Sequence, residues 1–183
     1  MRPLLYFFFL PTGLFTWQPV TPALHPGCEL TPSSAAQQLT TMRAWGAAAR
    51  RAVRDFTRRA GAPYTCLYFR KAEAHPDQII CWLLVQQSST RFMRYSYHAQ
   101  QVDSMRLEVG GWSAALARMP SRCYEPLCES ISTSPVPQAL LIKRGQRVQT
   151  GMLFEDTPYL PDYTPADQAR VAPVAAFIRL VDK

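Results

Sequence analysis

Lysine is nearly missing from this sequence of 183 residues: three lysines stand against seventeen arginines. Glycine is scarce too, at eight residues against sixteen prolines. The few glycines form no G-x-x-x-x-G-K-[ST] or G-x-G-x-x-G loop to cradle a phosphate, and G-x-S-x-G and H-E-x-x-H are also missing. The three histidines, His25, His75 and His98, share no metal-ligand spacing. No catalytic residue, metal or cofactor is therefore expected, and the chain reads as a non-enzyme. The five cysteines, Cys28, Cys66, Cys81, Cys123 and Cys128, are odd in number and irregularly spaced, which excludes a disulfide framework.

A long apolar run is missing as well. Leu4 to Trp17, "LLYFFFLPTGLFTW", holds no charge and six aromatic residues. Pro11 divides it, and Gln18, Pro19 and Pro22 close it. A spanning helix needs about 20 predominantly apolar residues, so a straight membrane crossing is not expected. Arg2 ahead of the run and small residues after it also suit a secretory signal, cut near residues 17–27. The other reading keeps the segment, with Leu4, Leu5, Phe7, Phe8, Phe9, Phe15 and Trp17 seated on a partner subunit or at the lipid interface.

What is present is positive charge in one half. Residues 1–99 carry eleven Lys/Arg and four Asp/Glu, whereas residues 100–183 carry nine of each. Arginine is suited to bidentate pairing with carboxylate or phosphate. With 48% hydrophobic residues the chain can bury a sizeable core. Length and composition divide it into an apolar, Pro-rich extension (1–30), one α+β domain (31–156) and a C-terminal arm with a helix (157–183).

Thr31-Pro32 reads as an N-cap and first helical residue. Leu39, Met42, Trp45, Ala49, Val53 and Phe56 then recur at spacings of three and four, which predicts one helix of six or seven turns ending at Gly61 and Pro63. Its polar side carries a basic face: Arg43, Arg50, Arg51, Arg54, Arg58 and Arg59, with Asp55 the one acid among them. After residue 63 the period changes to two. Segments 64–71, 79–85, 90–99 and 104–109 predict four strands in an antiparallel meander. Residues 112–119 predict a short helix capped by Ser113, and 120–138 a Cys- and Pro-containing loop. Residues 139–154 predict a hairpin turning at Arg144-Gly145, and Thr164-Pro165 starts a last helix that Pro173 should kink or restart. The fold class expected is a long N-terminal helix packed on a curved antiparallel sheet.

Two disulfides can be weighed on this scheme. A hairpin closing at 72–77 sets Cys66 opposite residue 83 and Cys81 opposite residue 68, so these two miss each other by two positions. Cys123 and Cys128 could bridge a short loop in an oxidising compartment.

Residues 51–88, "RAVRDFTRRAGAPYTCLYFRKAEAHPDQIICWLLVQ" and on to Ser88, resemble the cystatin pattern of a helix, a strand, a short loop and then a glutamine before apolar residues. Where cystatins carry Gln-x-Val-x-Gly, this chain has Gln78, Ile79, Ile80, Cys81 and Trp82, so the glycine is replaced and the inhibitory motif is not intact. The resemblance implies a cystatin-like or NTF2-like sheet.

The function expected is a non-catalytic accessory subunit of a membrane-associated complex, at the respiratory machinery of the mitochondrial inner membrane, acting in assembly or stability. Its partners would be other subunits, with the lipid interface reached through residues 1–17. A secreted cystatin-like binding domain and an RNA-contacting subunit of an organellar ribosome are the alternatives.

Overall fold

The computed structural model describes residues 28–72, 75–98, 100–108, 111–127, 138–154 and 158–181. Eight strands form one mixed sheet: β1 (Glu29–Ser33), β2 (Tyr64–Ala72), β3 (His75–Gln86), β4 (Arg91–Tyr97), β5 (Val102–Glu108), β6 (Cys123–Leu127), β7 (Gln138–Arg144) and β8 (Arg147–Phe154). Their order across the sheet is β1-β6-β8-β7-β2-β3-β4-β5. All neighbours run antiparallel except β6 and β8. Four helices pack on it: α1 (Ala35–Ala44), α2 (Ala47–Arg58), α3 (Trp112–Ala117) and α4 (Pro165–Val181).

Strands β2 to β5 form the meander that the period of two predicts, each hydrogen-bonded to the next. β7 and β8 form the hairpin at Arg144-Gly145, and the left-handed φ of 58° at Gly145 suits a residue without Cβ. β2 lies inside the sheet, so its side chains enter two separate cores. Cys66 and Tyr68 join the core under α3 and α4, with Phe92, Trp112, Leu140, Met152, Val174 and Phe177. Leu67 and Phe69 join the core under α1 and α2, with Met42, Ala49, Val53, Phe56, Leu83 and Leu141.

The expected long helix on a curved antiparallel sheet is overturned. The helical stretch breaks at Gly46, whose φ of 115° no helical residue adopts. Trp45 ends α1, its N–H bonding back to the Met42 carbonyl at 3.1 Å, and α2 starts afresh at Ala47. The apolar stripe runs on through the break because Trp45 still turns inward, edge-on to Phe69 at 5.8 Å. The start is corrected as well: Thr31 and Pro32 lie in β1, and Ser34 is the cap, accepting from Gln37 N–H at 3.1 Å. At α3 the N-cap is Gly111 instead of Ser113. The loop expected at 120–138 contains β6. α4 runs unbroken past Pro173 for 17 residues and buries Val171, Val174, Phe177 and Ile178.

Candidate partner-binding surface

α2 is amphipathic in the plain sense: Ala49, Ala52, Val53 and Phe56 are fully buried, and Arg50, Arg54 and Arg58 are exposed on the other side. Arg51 is half-buried and reaches the Gln100 carbonyl at 3.4 Å. Arg43 stands exposed on α1, across the Gly46 corner, so the structure gathers Arg50, Arg51, Arg54 and Arg58 on one helix and leaves Arg43 on another. The acid in their midst does not neutralise them. Asp55 accepts the Tyr97 hydroxyl at 2.8 Å, and among the described residues no carboxylate pairs with Arg50, Arg54 or Arg58. Burial, with the Asp55 contact second, holds the Tyr97 hydroxyl well above the ordinary tyrosine range. Arg59 caps the helix and lies 4.3 Å over the Tyr95 ring, donating to its hydroxyl at 3.3 Å.

Beneath the Gly46 corner lies a cleft of about 410 Å³. Trp45, Ala48, Ile79, Tyr97 and His98 line it, with the first turn of α2 at one end. Among the described residues no side chain caps that turn. The sequence alone could not assemble this cleft, because it depends on the helix break and on β3 extending past its last pairing with β4, Cys81 with Tyr97.

Other expected residues fall as follows. Leu4, Leu5, Phe7, Phe8, Phe9, Phe15 and Trp17 lie outside the described residues. Gln78 to Trp82 lie within β3. Cys66 and Cys81 are separate buried thiols: Cys66 faces Leu84 and Cys81 faces Phe69, on opposite sides of the sheet. Cys123 also carries a free thiol, so the expected bridge from Cys123 to Cys128 is corrected; Cys128 lies outside the described residues. The disulfide is at Cys28. Among the described residues no group of three His, Cys, Asp or Glu could hold a metal ion, and no helix is long and apolar enough to cross a membrane. His98 meets Asp103 at 3.3 Å, both exposed.

Two of the buried charged residues hold elements together. Lys143 of β7 lies under the C-terminal end of α2, and Asp167 of α4 reaches across to β1. Tertiary pairing alone brings Lys143 to the α2 carbonyls; Asp167 has local partners in Thr164 and Arg170, and only its bond to Leu30 depends on the fold.

A scan against protein-family models and searches of curated proteins and solved structures found no match to this chain.

Proposed function

We propose that the protein is a non-catalytic accessory subunit of a larger membrane-associated complex, at the respiratory machinery of the mitochondrial inner membrane, where it contributes to assembly or stability. The carrying observation is the outer face of α2. Arg50, Arg54 and Arg58 are exposed on a helix whose underside is rigidly seated, and no carboxylate of the described residues pairs with them. Such a face suits an acidic partner surface, since unneutralised arginines gain most from carboxylates supplied by another chain. Residues 1–17 supply the apolar contact with membrane or partner in this reading. The disulfide at Cys28 is in keeping with the oxidising side of that membrane.

The test is purification from source membranes, comparing the wild-type chain with the triple variant Arg50→Glu, Arg54→Glu, Arg58→Glu. The wild type should bring defined companion subunits and the variant should lose them. A monodisperse, soluble monomer that begins after residue 20 overturns the reading.

The Cys28 disulfide also favours a second reading, a secreted binding domain. That reading requires a mature chain starting between residues 17 and 27, and intact mass decides it.

A further inference from the structure

The two edges of the sheet are treated differently. Along the β1 edge the backbone of residues 28, 30 and 32 is directed away from the sheet, and none of the three leaves an N–H free. Cys28 N–H donates to the Asp162 carbonyl at 2.5 Å and its carbonyl accepts from Thr164 N–H at 3.1 Å. Leu30 N–H donates to Asp167 Oδ2 at 3.0 Å. Residue 32 is a proline, which has no N–H to offer. This is how proteins protect a free edge.

β5, at the other end, has none of these devices. His98 N–H bonds to the Gln101 carbonyl at 2.9 Å and closes the turn before it. Antiparallel alternation then points the backbone of Asp103, Met105 and Leu107 at β4, and that of Val102, Ser104, Arg106 and Glu108 outward. Among the described residues no strand pairs with that outward row. The strand has no proline, and its register with β4 is unbroken from Val102 to Glu108. Only Leu107 is half-buried; Val102 and Met105 are 40% and 46% exposed.

Charge says what fits there. On one face Arg94 of β4, beside Met105, lies 4.9 Å over the Trp82 ring and donates through Nη2 to Met105 Sδ at 2.8 Å. Its Nε is buried with no acceptor. On the other face Arg106 is exposed opposite Met93. Neither arginine meets a carboxylate among the described residues, whereas the acids of β5 are already engaged, Glu108 with Arg91 at 3.4 Å and Asp103 with His98 at 3.3 Å. A buried guanidinium nitrogen without an acceptor is costly unless a ligand supplies one. A second copy is a poor candidate, since each chain carries a net charge of +7.

We infer that β5 is the docking edge for an extended acidic segment of a partner protein, which adds as a ninth strand and brings carboxylates to Arg94 and Arg106. Backbone pairing along the outward row gives affinity, and the two arginines select for acid. The existence of such a partner rests on the accessory-subunit reading.

The probe is a fluorescein-labelled nine-residue peptide alternating Glu and Val, read by anisotropy against a Lys–Val counterpart. The acidic peptide should bind at least about tenfold more tightly than the basic one. Ser104→Pro removes an outward N–H without touching the β4 ladder, and Arg94→Ala removes the cation; each should weaken binding by about tenfold with the circular dichroism melt retained. If Ser104→Pro fails to fold, Arg106→Glu takes its place with the same expectation. Equal binding of the two peptides, or binding unmoved by these changes, overturns the inference. So does a dimer in sedimentation that Ser104→Pro dissolves, since the edge then serves a second copy. The α2 triple variant separates the two readings: it should bind the peptide like wild type while losing the companion subunits. A wild type that keeps its companions but ignores the peptide removes the edge and leaves the subunit reading standing.

Discussion

The ammonium of Lys143 lies beneath α2 and donates to the Phe56 carbonyl at 2.6 Å. The Thr57 and Arg59 carbonyls accept from it as well. These are carbonyls of the last helical turn, which have no intrahelical partner, and a cation there also opposes the negative end of the helix dipole. Lys143 is 3% exposed, and burial lowers its pKa from the ordinary lysine value. Lys143→Met keeps the apolar stem but leaves the carbonyls unpaired. We expect a loss of about 2–3 kcal/mol, read by chemical denaturation, because charged hydrogen bonds are worth roughly 1.5–3 kcal/mol and buried orphans add to the cost. A loss under about 0.5 kcal/mol would show that the lysine is not the cap of α2.

Asp167 joins the start of α4 to the β1 edge. Burial on its own raises this carboxyl; the hydrogen bonds from Leu30 N–H, Arg170 and Thr164, with the Arg170 charge, outweigh it and leave the pKa below the ordinary aspartate value. A carboxylate depressed on folding contributes stability above its unfolded pKa of about 3.9 and loses it as pH falls through the folded value. Asp167→Asn should therefore lower the melting temperature at pH 7, and the difference from wild type should shrink as the pH is brought below about 4. A gap that stays constant from pH 7 to pH 2 counts against the carboxylate.

Thiol chemistry checks the two-sided sheet. Burial pushes the Cys81 thiol up to about 12 and raises Cys66 and Cys123 as well. Protonated, enclosed thiols react slowly. In the folded protein, Cys66 and Cys81 should resist iodoacetamide for hours at pH 8, and all three should label after unfolding without reductant. Residue 28 should stay unlabelled until the disulfide is reduced. Cys81 also lines the Gly46 cleft, and its rapid labelling in the native state would show that the cleft admits the reagent to the thiol.

Gly151 gives a packing test. A Cβ added there would lie 2.8 Å from Cys123 Sγ and closer still to the buried Gln38 Oε1. Gln38 has little freedom to move, because its amide donates to the Tyr124 carbonyl at 2.8 Å. Gly151→Ala should cost about 1–3 kcal/mol as an overpacked core does, and Gly151→Ala with Cys123→Ala should recover part of it. Full stability in the single variant would show that α1 can lift from β8.

The elements read from sequence are those whose side chains alternate strongly. β2 to β5 and the β7–β8 hairpin declare themselves through residues such as Leu67, Leu83, Phe92 and Leu141. β1 and β6 do not. Each is five residues long, contains a proline (Pro32, Pro126) and an acid (Glu29, Glu125), and buries little. Such short strands exist through pairing with one another and, for β6, with β8, which no local pattern records. The break between α1 and α2 is hidden for a different reason. The 3–4 spacing runs through Gly46 because Trp45 before the corner and Ala49 after it both turn inward, so the period continues while the backbone does not. The hairpin register was displaced by one residue, since pairing is irregular between Lys71 and Ala72. Of the basic residues read on one face, Arg50, Arg54 and Arg58 are exposed together on α2, whereas Arg43 lies on α1 and Arg51 and Arg59 are half-buried. The β5 edge and the lone Arg94 were not legible in the sequence, because both depend on where the sheet ends.

β2 has one further consequence. Leu67 and Phe69 belong to the layer under α1 and α2, and Tyr64, Cys66 and Tyr68 to the layer under α3 and α4, yet both sets hang from one strand. Neither layer has a wall of its own at that point. Heat or denaturant that frees β2 strips both cores together, so this molecule should lose its two hydrophobic layers in one cooperative step.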